Sequence, residues 1–194
     1  KKALPKYLTL EQSIELLDAV NGKYKERDYA ILTLFLNCGL RVSEMAGLNY
    51  TDIRPDNTLR VLGKGNKERI VYLNQACIDA LRDYMRVRPA DGLKDKHALF
   101  ISRNNNRMSV KTIQAMVYKY LEQIGLSAQG YSCHKLRHTA ATLMYQYGDV
   151  DVRVLKEVLG HENLGTTEIY THLSNEQLQK AADNNPLAKV KKEN

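Results

Sequence analysis

Two short strings carry most of the side chains able to do chemistry: Ser132-Cys133-His134-Lys135-Leu136-Arg137-His138-Thr139, and Leu159-Gly160-His161-Glu162-Asn163 running on to Ile169-Tyr170. Upstream, Asn37-Cys38-Gly39-Leu40-Arg41-Val42-Ser43-Glu44 adds Arg41, and Gly63-Lys64-Gly65-Asn66-Lys67-Glu68-Arg69 adds Lys64. Cutting a phosphodiester without a metal requires a nucleophile, cations on the two non-bridging oxygens and a proton for the departing 5′ oxygen. Tyr170 suits the first need, although a phenol with a pKa near ~10 stays weak until a neighbour takes its proton or cations surround it. Arg41 and Arg137 suit the second, because a guanidinium stays charged and presents a planar fork matching two phosphate oxygens. His134 and Arg137 stand three apart at a helix start, so they project from nearly one face and can reach one phosphate together.

The elements that must hold these groups are mostly helical. Thr9-Leu10-Glu11-Gln12 has the form of a capping box, and Ile14, Leu16, Leu17 and Val20 supply an apolar helical face behind it. A second helix is predicted from Tyr24 to Cys38, with Gly39 as a left-handed stop. Short β-prone runs at Asn49–Ile53, Leu59–Leu62 and Arg69–Leu73, parted by turn residues, predict an antiparallel sheet of about three strands. Further helices are predicted at Gln75–Tyr84, Ser109–Ile124, His134–Tyr147 and Val152–Leu159, and a capping box at Ser174-Asn175-Glu176-Gln177 opens a last one that stops before Pro186.

Composition bounds the rest. With 194 residues, 43% hydrophobic and 26% charged, the chain has the make-up of a single globular domain, and the predicted fold is mainly α with a small antiparallel β-sheet. The net charge of +7 favours a polyanionic partner. The longest apolar run, Ala30–Leu36, is far short of a bilayer span, and the opening residues lack the apolar run of a signal peptide, so no membrane association and a cytoplasmic address are expected. Cys38, Cys77 and Cys133 have no CxxC spacing, which argues against a disulfide framework or a zinc site; Cys133, beside His134, is expected to make the site sensitive to thiol reagents. His134 and His138 have i, i+4 spacing but no HExxH and no obvious third ligand, and His138 reads as structural. Gly63-Lys64-Gly65 is not a nucleotide-binding loop, and the basic motif region lacks grouped carboxylates for two cations, so neither a cofactor nor a metal is expected.

In order and local string, Arg41, Lys64, His134, Arg137, His161 and Tyr170 resemble the catalytic domain of tyrosine recombinases, the integrase and Xer-like family of DNA strand-exchange enzymes. The resemblance implies that family's fold over residues 1–173 and metal-free strand cleavage through a 3′-phosphotyrosine. It gives His134 a part toward Tyr170 as base or hydrogen-bond partner, makes His161 a donor to the scissile phosphate, and makes Lys64 the acid for the 5′ oxygen, with Lys67 as rival. Glu44 reads equally as a surface acid or as a group holding an arginine in place, and Arg41 could instead cap a helix end. Members usually carry a helical DNA-clamping domain ahead of this point; the chain opens without methionine and that domain is expected to be missing from it. Double-stranded DNA and further copies of the chain, in a tetrameric synapse, are the implied partners. Residues 174–194 are expected to form a helix and basic tail docking on a neighbouring protomer, since Leu178, Ala181 and Ala182 make a thin apolar face and Leu187 and Val190 extend it; a helix folded back on its own domain is the alternative. The alternatives are type IB topoisomerase-like relaxation and a DNA-binding protein of the same fold without chemistry.

Overall fold

The computed structural model describes residues 7–127, 130–147, 153 and 175–192. The frame begins with α1 (Leu10–Asp18), whose cap is reciprocal: the Thr9 hydroxyl accepts from the Gln12 amide at 3.1 Å while the Gln12 side chain accepts from the Thr9 amide at 3.0 Å. Helix α2 (Lys25–Cys38) is the centre of the molecule. Every residue from Arg27 to Cys38 is buried, as expected of a helix covered all round rather than along one stripe. It ends where expected, at Gly39 with φ 65°, and packs against α4 (Gln75–Val87) and α6 (Cys133–Tyr147).

The chain then turns into the short α3 (Val42–Ala46), which lies against α5 (Val110–Gln123). The sheet has two strands among the described residues, not three: β1 (Thr58–Leu62) pairs antiparallel with β2 (Glu68–Tyr72), in register from Thr58↔Tyr72 to Leu62↔Glu68. The run expected as a first strand is instead a 3-10 turn over Tyr50–Asp52, flanked by isolated bridges Asn49↔Ala98 and Ile53↔Leu59. The cause is local. The Asp52 carboxylate accepts the Asn49 amide at 2.8 Å, a side-chain bond that closes a turn in competition with a ladder.

Leu59, Val61 and Val71 form the buried face of the hairpin, while Leu62 and Ile70 stay exposed on the other. The helix of residues 175–192, α7 (Asn175–Asp183), and the turns after it are seated on their own domain in this single chain, where the sequence had suggested a neighbour. Leu187 and Asn185 are buried, the Ala76 amide donates to the Ala188 carbonyl at 2.8 Å, and Asn74 Nδ2 donates to Asn37 Oδ1 at 2.9 Å and to the Ala182 carbonyl at 3.0 Å. The helix expected at Val152–Leu159 lies outside the described residues.

Candidate active site

Arg41, Lys64, His134 and Arg137 lie within the described residues; His161 and Tyr170 lie outside them. The site gathers at the C-terminal end of α2. Past the Gly39 stop the backbone turns, and Arg41 takes the position before the first turn of α3. Arg137 reaches this corner from α6, where it is buried and donates through Nη1 to the Gly39 carbonyl. A group that caps the end of α2 is thus present, and it is Arg137, not Arg41. Burial and the nearby Arg41 and Arg69 push the Arg137 guanidinium down to about 10, with Glu44 acting against them. At neutral pH it still carries its charge.

Glu44 is not a surface acid. It is buried, its Oε1 accepts the Arg41 amide at 2.7 Å, and both carboxylate oxygens receive the Arg69 guanidinium, Nη2 to Oε1 at 3.2 Å and Nη1 to Oε2 closer still. Arg69 was not singled out from the sequence, yet the signal was there. It stands directly opposite Val61 and two residues before Val71, an arginine in an apolar slot of the strand alternation. Lys64 occupies the hairpin tip as expected, exposed, in a turn where Gly65 has φ 72° and Asn66 φ 60°, while Gly63 donates to the Lys67 carbonyl at 2.7 Å. Among the described residues the side chains of Arg41 and Lys64 make no ion pair, leaving both charges available to an anion.

His134 and His138 form a pair: their Nε2 atoms lie 3.0 Å apart and the rings meet edge to face at 4.5 Å. Desolvation first, and then Lys135, Arg137 and Arg41, lower the pKa of His134; desolvation and then His134 itself lower that of His138. Both rings are therefore neutral near pH 7, the state in which one can donate Nε2–H and the other accept. His138 thus orients His134 and leaves its Nδ1 for other work. Cys133 departs from expectation. It is buried, and desolvation pushes its thiol up to about 11, which suppresses the reactive thiolate.

A cavity of about 670 Å³ opens here, with Arg41, His134 and Arg137 on one side and Tyr118, Tyr131 and Ser132 on the other. Two guanidiniums, Arg41 and Arg137, with no carboxylate among the described lining residues, make its charged wall an anion site by composition.

A central buried helix, a corner lined by paired arginines and a lysine-tipped hairpin define the catalytic-domain fold of the tyrosine recombinases. The chain belongs to the phage integrase family, whose profile matches residues 6–177. It is 58% identical over 184 residues to the tyrosine recombinase XerC of Caldanaerobacter subterraneus subsp. tengcongensis, covering 95% of this chain and 52% of the relative, and 39% identical to the XerC of Thermodesulfovibrio yellowstonii, covering 97% and 65%. The chain thus spans between about half and two-thirds of the length of these relatives. Among solved structures it resembles the XerA recombinase, with 30% identity and a TM-score of 0.74 over 92% of this chain and 64% of that one. It also resembles the XerH site-specific recombinase bound to palindromic difH substrate in a post-cleavage complex, with 27% identity and a TM-score of 0.72 over 93% and 53%.

Proposed function

We propose that the chain is the catalytic part of a site-specific DNA recombinase that cuts and rejoins strands through Tyr170. The observation that carries this reading is the cavity wall of Arg41, His134 and Arg137, surplus in positive charge and set in a chain of the phage integrase family. Tyr170 Oη attacks phosphorus, the bond from phosphorus to O5′ breaks, and O5′ takes a proton from the Lys64 ammonium. The phenolic proton passes to His134, and Arg41, Arg137 and His161 meet the charge on the non-bridging oxygens. The products are a 3′-phosphotyrosyl ester and a free 5′ hydroxyl. Attack on that ester by the 5′ hydroxyl of another strand reverses every step, so the count of phosphodiesters is unchanged and neither ATP nor a metal enters.

Duplex DNA is the substrate, a role supported by the DNA-bound XerH relative and by the net charge of +7. Residues 1–173 carry the chemistry in this reading. Assembly as a tetrameric synapse in the cytoplasm, with residues 174–194 passing from their own domain to a neighbour's, belongs to the same proposal. Among the described residues no helix is long and apolar enough to cross a membrane.

The test uses nicked duplexes tiled across the DNA flanking the protein's own gene, so that a cleaved strand loses its short 5′ end and cannot rejoin. A protein–DNA band that survives denaturation, persists in EDTA and vanishes in Tyr170→Phe is expected. A band retained by Tyr170→Phe would sink the assignment.

A further inference from the structure

We propose that Arg69 is a positioning residue that ties the Lys64 hairpin to Arg41, so that the proton donor and the phosphate clamp move as one body; this rests on the strand-cleavage reading above. Three contacts meet on one carboxylate. Glu44, nearly closed to solvent, holds the Arg41 amide with Oε1 at 2.7 Å, which fixes the backbone from which the Arg41 guanidinium extends. The same two oxygens take the terminal nitrogens of Arg69 as a fork, anchoring strand β2 one residue after Glu68, where the ladder ends. The third contact is backbone. A Cβ placed on Gly63 would stand 3.3 Å from Glu44 Oε2, so the residue just before Lys64 lies close against that carboxylate and a side chain there would press on it.

The hairpin needs such a tie. Its ladder stops at Leu62↔Glu68, and beyond it the loop is closed by the hydrogen bond from Gly63 to Lys67 while Lys64, Gly65 and Asn66 stand exposed. A two-stranded hairpin of this length is not rigid on its own. A lysine ammonium on a flexible stem adds further freedom. Without the fork, the tip would be free to tilt away from the corner that holds Arg41 and Arg137. Arg69 itself has only 16% of its side chain exposed, spent on Glu44 rather than turned to the cavity. Its effect on the chemistry therefore runs through Lys64.

This route has a readout that loss of a phosphate contact does not share. Arg69→Gln should slow first-strand cleavage about ten- to a hundredfold, the scale expected of a misplaced catalytic group. On a duplex whose 5′ bridging oxygen is replaced by sulfur, which leaves without a proton, most of that loss should return, as it should for Lys64→Ala and should not for Arg137→Ala. The double variant Glu44→Gln with Arg69→Gln removes the tie without stranding a buried carboxylate, and should show the same rescue if the single variant folds poorly. Independently of activity, hydrogen exchange at the amides of Gly63 and its loop should quicken in either variant while α6 stays protected. Unchanged exchange in the loop, or a cleavage defect that sulfur leaves in place while wild type cleaves, would overturn the proposal. A wild-type chain that forms no adduct dependent on Tyr170 would instead sink the cleavage reading, and the exchange measurement would still decide whether Arg69 holds the hairpin.

Discussion

Helix α2 has an arginine cluster at each end, and the two are built on opposite terms. Near its start, Arg27 pairs with Asp28 at 3.0 Å and donates to the Ile101 carbonyl at 2.9 Å, and the Tyr120 hydroxyl donates to the other oxygen of Asp28 at 2.7 Å. One cation meets one anion, the remaining polar atoms find partners, and burial with the Asp28 bond drives the Tyr120 phenol strongly upward. At its far end Arg41, Arg69 and Arg137 gather around Glu44, and burial first, then Arg41 and Arg69, push the Arg137 guanidinium down. The first cluster is compensated within the protein. The second sets three arginines around Glu44, and in the strand-cleavage proposal a phosphodiester joins them. Like charges crowded into a partly desolvated corner cost stability, and the strand-cleavage proposal gives that corner its use.

The contrast breaks cleanly by substitution. Arg137→Ala should lower strand cleavage by about 10³-fold, the scale seen when a preorganised charge is removed from a transition state, at a stability cost of about 1–2 kcal/mol for the lost bond to the Gly39 carbonyl. Asp28→Ala should do the reverse. It strands Arg27 in a dry site and should cost about 3–5 kcal/mol of stability, with cleavage per folded molecule unchanged. Urea denaturation alongside adduct formation on the same preparations separates the two effects. Equal losses of stability in both would show that the corner at Arg137 is merely another structural cluster.

The same contrast explains what was legible in the sequence. Caps and stops were readable because they depend on neighbours in the chain: Thr9 with Gln12, and Gly39 after Cys38. The candidate site residues stood out because their residue types and local strings resemble a family. What escaped depends on contacts across long separations. Arg69 meets Glu44 from 25 residues away, and Arg137 caps α2 from 98 residues away, pairings that no local pattern encodes. The missing third strand is the opposite case, a β-prone run overruled by one local side-chain bond from Asp52. The seat of residues 175–192 hangs on Asn37, Asn74 and Asn185, three amides whose partners appear only once α2, α4 and the tail are packed together.

That tail sharpens the comparison between parts that stabilise and parts that react. Leu187 is fully buried beside Asn185, which donates to the Leu36 carbonyl at 3.3 Å and accepts the Leu187 amide at 2.9 Å. Leu187→Ala should cost about 2–4 kcal/mol if the tail is seated on its own domain in solution, through lost burial and the cavity left behind. A midpoint shift in urea independent of protein concentration is expected. A shift that grows on dilution would place the seat on a second copy instead.

The smallest expected effect lies between the two clusters, in the pair His134 and His138. Their folded pKa values are lowered, so the folded state binds fewer protons than the unfolded chain as pH falls through the ordinary histidine range near ~6.5. The stability contributed by the neutral pair is therefore fully present above that pH and is lost progressively below it, toward the lowered folded values. Acid also replaces the single Nε2–H···Nε2 bond with two donors facing each other, which turns the rings apart and releases His134 from its orientation. His138→Gln keeps a hydrogen-bonding side chain but removes one titration, and should flatten the fall in melting temperature between about pH 7 and 5 by roughly half. If His138 also sets the direction of His134, the same variant should lower cleavage several-fold at pH 7 without changing affinity for the duplex. A variant that matched wild type in both its acid sensitivity and its cleavage would leave the pair with no part in either.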